Sequence, residues 1–140
     1  VSVKKSDYEI LAAFRYELRR FLNFSERAAE SDGLPVQQYL ALLAIEGFPG
    51  RNQVVIGELA ERLQIVPHSA VGLVDRLEAG ELVKRQSRGK DRRRVYVKLT
   101  PKGRDKLEKL AAAHRKELHT VGPLLTGLLN QVATAISLPE

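Results

Sequence analysis

A mainly α fold carrying one small antiparallel β-hairpin (α+β) is predicted by three features of this 140-residue sequence. Apolar residues recur at intervals of three and four through most of the chain, as in helices with one buried face. Two short segments, Leu82–Ser87 and Arg94–Leu99, flank the polar run Arg88-Gly89-Lys90-Asp91 and read as hairpin arms. Pro and Gly stand where helices should begin and end. The length suits a single unit over residues 1–140, with helical arms attached.

Ser6-Asp7-Tyr8-Glu9 has capping-box spacing, and Ile10, Leu11, Phe14, Leu18, Phe21 and Leu22 follow at helical intervals. That helix should end at Ser31-Asp32-Gly33, and Pro35 suits the first turn of a second helix burying Val36, Tyr39, Leu40, Leu42 and Leu43. Gly47, Pro49 and Gly50 close it; Gln53-Val54-Val55 suits a very short strand. A third helix, Ile56–Leu63, turns Leu59, Ala60 and Leu63 inward, and a tight turn at Gln64-Ile65-Val66 leads to a fourth. Pro67 opens that fourth helix because its missing N–H has no intrahelical partner there, and Gly80 ends it after Ala79. In the second hairpin arm Val95, Val97 and Leu99 alternate with Arg94, Tyr96 and Lys98. Thr100-Pro101 caps a fifth helix with a stripe of Leu107, Leu110, Ala111 and Leu118. Gly122-Pro123 should interrupt it, leaving a last helix from about Leu124 to Ile136 with more apolar surface than an isolated helix leaves wet.

Composition narrows the function. With 44% hydrophobic and 29% charged residues and no apolar run long enough to span a bilayer, the sequence predicts an ordinary globular protein without a membrane partner. No secretory signal is visible, so the expected location is the cytoplasm. The sequence has neither Cys nor Met, which excludes disulfides, thiolate metal sites and sulfur-based redox sensing by its residues. Net charge is +6, but from Lys84 to Lys106 eleven Lys or Arg face only Asp91 and Asp105, so the rest of the chain is net −3. A merely solvated face would interleave both signs; this block suits phosphates.

Helix, turn, helix and a two-stranded wing is the order of a winged helix-turn-helix, whose second helix enters the major groove of double-stranded DNA. If Val71, Val74 and Leu77 face inward on the Pro67–Ala79 helix, then His68, Ser69, Gly72, Leu73 and Arg76 face outward toward base edges and phosphates. Gly72 would permit close approach. On the wing, Arg88, Lys90, Arg92, Arg93 and Arg94 surround one carboxylate, Asp91. Arginine suits a narrow, A·T-rich minor groove. Asp91 either orients one guanidinium or simply terminates the turn.

The runs Val74-Asp75-Arg76-Leu77-Glu78, Gly80-Glu81-Leu82-Val83 and Asp91-Arg92-Arg93-Arg94-Val95-Tyr96-Val97-Lys98-Leu99-Thr100-Pro101-Lys102-Gly103 resemble the multiple-antibiotic-resistance regulator (MarR) family. The likeness implies a homodimeric transcription regulator, repressing or activating, with residues 34–101 on DNA and helices 6–32 and 102–137 in the dimer. It implies that Arg93 enters the minor groove, that Asp91 positions it, and that the helix around His68, Ser69 and Gly72 reads the major groove. Many members of the family bind small, often phenolic, ligands between the dimer helices and the winged domain. One departure stands out: Val66, Pro67, Val71 and Gly72 occupy places where the family commonly has Ser and polar residues. More of the recognition would then fall to the wing and to DNA shape.

Other chemistry finds little support. His114 and His119 lie five residues apart, on different faces of a helix, and read as surface histidines rather than metal ligands. No nucleophile and base, phosphate loop or cofactor motif occurs, so an enzyme is not expected. Most aromatic residues fall in the first two helices and their exit, and Tyr16 and Tyr39 are the candidates for lining a cleft for a small aromatic effector. A winged helix that docks a protein partner is the alternative to DNA binding.

Overall fold

The computed structural model describes residues 2–87 and 93–135. In chain order these form α1 (Lys5–Ser31), α2 (Val36–Glu46), β1 (Gln53–Val54), α3 (Ile56–Leu63), α4 (Pro67–Ala79), β2 (Val83–Ser87), β3 (Val95–Leu99) and α5 (Pro101–Ala135). Two compact units result: a central one over Ala29–Ala111, and one built from Val1–Ala28 with Ala112–Glu140.

In the central unit the hairpin is wider than a pair. The sheet order is β1-β3-β2, all antiparallel. Val83 pairs with Leu99 and Ser87 with Val95, while β1 adds Gln53 opposite Lys98 and Val54 opposite Val97. Leu42, Ile45, Leu59, Val74 and Leu77 of the helices and Val54 and Val97 of the sheet are fully buried. Burial of this kind contributes roughly 1.5–3 kcal/mol per large side chain. The start of α5 joins the unit through Asp32, whose carboxylate accepts from Lys109 Nζ at 2.9 Å, while Lys106 Nζ donates to the Asp32 carbonyl at 2.8 Å. The Lys109 hydrogen bond holds the Asp32 carboxyl below its usual range.

Two helices turn a different face inward from the one expected. On α2, Tyr39, Ala41, Leu42 and Ile45 are buried and Leu43 is exposed, because this helix is apolar nearly all round and spacing alone does not select a face. On α4, Ala70, Leu73, Val74 and Leu77 are buried. These stand at i, i+3, i+4 and i+7, a complete helical stripe, whereas 71, 74 and 77 drift around the axis. Leu73 is therefore core at 2% exposure, and Val71 is 38% exposed in its stead.

α1 begins at Lys5, where the Lys4 N–H donates to the Asp7 carboxylate at 2.9 Å, so Asp7 rather than Ser6 or Glu9 serves the first turn. α5 runs unbroken through Gly122-Pro123, contrary to expectation. Val121, Leu125, Leu128 and Val132, at i, i+4, i+7 and i+11, keep one half-buried stripe across the proline, so side-chain spacing outweighs the single backbone bond that Pro123 removes. His114 is likewise not a surface residue. It is 5% exposed, shares a 2.8 Å hydrogen bond with Ser25 Oγ, and receives Phe21 and Phe24 edge-on, so in the unit of α1 and distal α5 it is a packed polar tie.

The Leu-Thr-x-x-Gly run has a physical explanation in the central unit. Thr100 N–H donates to the Leu82 carbonyl at 3.0 Å, Thr100 Oγ1 donates to Glu81 O at 2.6 Å, and Gly103 N–H donates to Thr100 Oγ1 at 3.0 Å. A Cβ on Gly103 would lie 2.0 Å from Leu82 O, inside any tolerable contact. Gly103→Ala is therefore expected to destabilise the protein by about 1–3 kcal/mol or more, read as a lowered urea midpoint.

Candidate nucleic-acid interface

α3 and α4 are set by local signals at each end. Glu58, one turn into α3, accepts the Val55 N–H at 3.0 Å and so satisfies one orphan donor of the helix start. Its carboxylate also takes both arms of the Arg51 guanidinium, Nη1 at 2.9 Å from Oε1 and Nη2 on Oε2. Burial works to raise the Glu58 pKa, but the Val55 N–H, Arg51 and the field of Arg94 together hold it below the usual value. Arg51 and Arg62 both stack on Phe48, at 4.4 and 5.0 Å from the ring centre. The turn passes through Gln64 in the left-handed region at φ 55°, which lets Ile65 N–H reach the Ala60 carbonyl at 3.0 Å. Val66 is extended and Pro67 starts α4.

The outward side of α4 presents His68, Ser69 and Arg76, all exposed, with Gly72 half-buried. Leu73 is withdrawn from this surface into the core, and Val71 together with Val66, 63% exposed, supplies apolar groups there. A Cβ on Gly72 would meet only Arg76 Nη1, at an ordinary 3.6 Å. The fold thus leaves room for a side chain at a position that has none.

Arg85, counted in the cationic block by sequence, belongs instead to an internal junction. Its Nη2 bonds Asp75 Oδ1 at 2.6 Å, its Nη1 bonds Glu78 Oε1 at 2.9 Å, and its backbone N–H donates to Glu78 Oε2 at 3.1 Å. Partial burial works to lower the Arg85 pKa, but the two carboxylates win and raise it. The junction fixes β2 to α4. Asp75 and Glu78 on one face of α4 were the signal that an arginine from the block is paired. Lys102 on the Gly80 carbonyl and Arg104, 3.6 Å from Glu46, are also engaged within the unit.

What remains of the block is concentrated on the sheet and wing. Lys84 and Lys98 are directly paired across β2 and β3, and no carboxylate is paired with either among the described residues. Like charges opposite one another on a sheet are unfavourable by themselves. Arg93 and Arg94 are exposed at the approach to β3, Arg94 with its guanidinium 3.5 Å from the Tyr96 hydroxyl. Arg88, Lys90, Asp91 and Arg92 lie outside the described residues.

The two tyrosines singled out for an effector lie in different units. Tyr39 is 2% exposed in the core of the central unit, where burial raises its pKa, and Tyr16 is 61% exposed in the other unit. An open groove of about 390 Å³ in the central unit is lined instead by Leu43, Glu46, Arg104, Leu107 and Ala111. No helix among the described residues is long and apolar enough to cross a membrane.

A helix pair joined by a tight turn, followed by a pinned hairpin with a cationic end, defines a winged helix-turn-helix unit. The model of the MarR family matches residues 32–94 of that unit. The chain is 34% identical over 85 residues to the transcriptional activatory protein BadR of Rhodopseudomonas palustris, covering 61% of this chain and 49% of that protein. It is 29% identical over 86 residues to the HTH-type transcriptional repressor MdtR of Bacillus subtilis, covering 61% of this chain and 54% of that one. The match thus spans about half the length of these relatives. Among solved structures, a mutant of S. aureus MepR bound to an oligodeoxyribonucleotide shares the fold, with a TM-score of 0.67 at 17% identity over 93% of this chain and 98% of that one.

Glu58 supplies a pH test of the α3 start. Its folded pKa lies below the unfolded one, so its contribution is complete above the unfolded value and is lost as pH falls through the folded value. Glu58→Gln is expected to cost about 1 kcal/mol at pH 7, and urea titrations at successively lower pH should show the gap to the wild type closing.

Proposed function

We propose that this chain is a sequence-specific, DNA-binding transcription regulator that acts as a homodimer on a palindromic operator. The observation that carries this reading is the exposed N-terminal half of α4 fixed beside a cationic wing by Arg85. In helix-turn-helix proteins those helix residues contact base edges. In this reading residues 34–101 bind DNA, His68, Ser69, Gly72 and Arg76 face the major groove, and Arg88, Lys90 and Arg92 to Arg94 serve the wing, with Arg93 in the minor groove and Asp91 orienting it. MepR bound to an oligodeoxyribonucleotide and the names of BadR and MdtR support a regulatory role; one of those two relatives is named an activator and the other a repressor.

Helices 6–32 and 102–137 form the dimer in this proposal. Leu11 and Leu22 on α1, and Leu118, Leu124 and Leu129 on α5, leave apolar surface exposed on one chain, as an unpaired partner face would. Two-fold symmetry then requires half-sites about 34–36 Å apart. Repression, relieved by a small aromatic effector, is the mode proposed, and the cytoplasm the setting. The groove of Leu43, Leu107 and Ala111 is a better place for the effector than Tyr39, which is buried.

Selection from random duplexes should yield a palindrome; recovery of no preferred sequence would favour a protein-docking role and overturn the proposal. On the selected duplex, log affinity should fall with log salt by about 0.9 per phosphate contacted. Arg93→Ala should weaken binding at least tenfold with the thermal midpoint unchanged. Gly72→Ala should act in opposite directions on two readouts. Replacing a helix-interior glycine where a Cβ has room is expected to stabilise by about 0.5–1 kcal/mol, while the added methyl holds the helix off the groove and lowers DNA affinity.

A further inference from the structure

The geometry points to Val71 as the residue that reads the 5-methyl group of a thymine, placing an A·T pair under the N-terminal half of α4 in each half-site. The inference rests on the DNA-binding reading and adds to it a specific base contact.

The fold does not account for Val71. The inward stripe of α4 is already complete with Ala70, Leu73, Val74 and Leu77, and Val71 stands outside it at 38% exposure. A β-branched residue on an exposed helix face is slightly unfavourable, since its rotamers are restricted against the preceding turn. Alanine would serve the helix better.

Its neighbours define what it can meet. Val71, Asp75 and Glu78 share one stripe of α4 at i, i+4 and i+7. The two carboxylates there are held by Arg85, so the lower part of this flank is committed to the hairpin. Val71 is the side chain of that stripe one turn nearer the helix start, on the part that reaches bases in helix-turn-helix proteins. Polar reading groups lie on the other flank, where Ser69 and Arg76 are exposed and the Arg76 guanidinium lies over Gly72. Val66, also exposed and apolar, precedes the helix start.

In the major groove the base-edge group that suits an apolar side chain is the thymine C5-methyl. Set against a purine edge, Val71 would cover N7 and O6 acceptors or an amino donor without replacing their hydrogen bonds to water, which is unfavourable. A valine at this position therefore selects by what it cannot pair as well as by what it packs against.

The test uses the whole chain and the duplex recovered by selection, with each thymine replaced in turn by deoxyuridine, which lacks only the methyl. One symmetry-related pair of positions should weaken binding by about fourfold per half-site, the value of one buried methyl converted to affinity. Val71→Ala should bind the thymine duplex more weakly, show no thymine-to-uracil difference at that position, and keep or raise the thermal midpoint, which separates lost contact from lost fold. Uniform indifference to uracil, or a difference that persists in Val71→Ala, overturns the assignment while leaving DNA binding standing. If no duplex is selected at all, the DNA reading fails and this inference fails with it.

Discussion

Arg85 sits where the hairpin meets α4, and its guanidinium is divided between Asp75 and Glu78 of that helix. The backbone N–H of the same residue returns to Glu78, so the strand and the helix are joined by side chain and main chain at one point. An arginine fork engaged by two carboxylates fixes direction as well as distance. Its direct energetic contribution is modest, because Asp75 is well exposed and surface pairs contribute about 0–1 kcal/mol. Its geometric effect is larger: a helix that enters one groove and a hairpin that enters the next must keep a fixed relation, or binding one costs the fit of the other.

A second joint completes the frame on the far side of the hairpin. Thr100 and Gly103 close the start of α5 onto Leu82 and Glu81, with Glu81 itself in the left-handed region at φ 61°. Only a residue without Cβ allows α5 to approach the Leu82 carbonyl so closely. The hairpin is thereby held at its base from both chain directions, by α4 through Arg85 and by α5 through Thr100. Arg93 and Arg94, just before β3, are exposed.

Much of this was legible in the sequence where a residue has one physical meaning. Pro67 marks the start of α4, Gly80 its end, and the alternation of Val95, Val97 and Leu99 a strand. The failures occur where a residue has two. Ala70 is small enough to be overlooked as core, so the α4 face was turned and Leu73 and Val71 changed places. α2 is apolar on every side, which leaves its orientation to tertiary packing. Pro123 breaks helices in general, but here a continuous apolar stripe carries α5 past it. Sequence places His114 on the surface and Arg85 in the block meant for phosphates, because their partners, Ser25 at a separation of 89 residues and Asp75 at 10, are set by the fold and not by local spacing. The cationic block was visible as composition, yet only the fold separates Arg85, Lys102 and Arg104, engaged within the unit, from exposed cations such as Lys84.

In the proposed function, α4 and the hairpin act on DNA as one rigid element because of the Arg85 junction. The variant Arg85→Gln with Asp75→Asn removes the guanidinium bridges of that junction, leaving its main-chain bond to Glu78, and keeps the net charge of the group, so a change in DNA affinity cannot be assigned to net charge. The decisive measurement is its equilibrium affinity for the selected duplex across a salt series, beside its circular dichroism. The account predicts a folded protein that binds the specific duplex at least tenfold more weakly, with the salt slope preserved. Wild-type affinity in the folded double variant would contradict it.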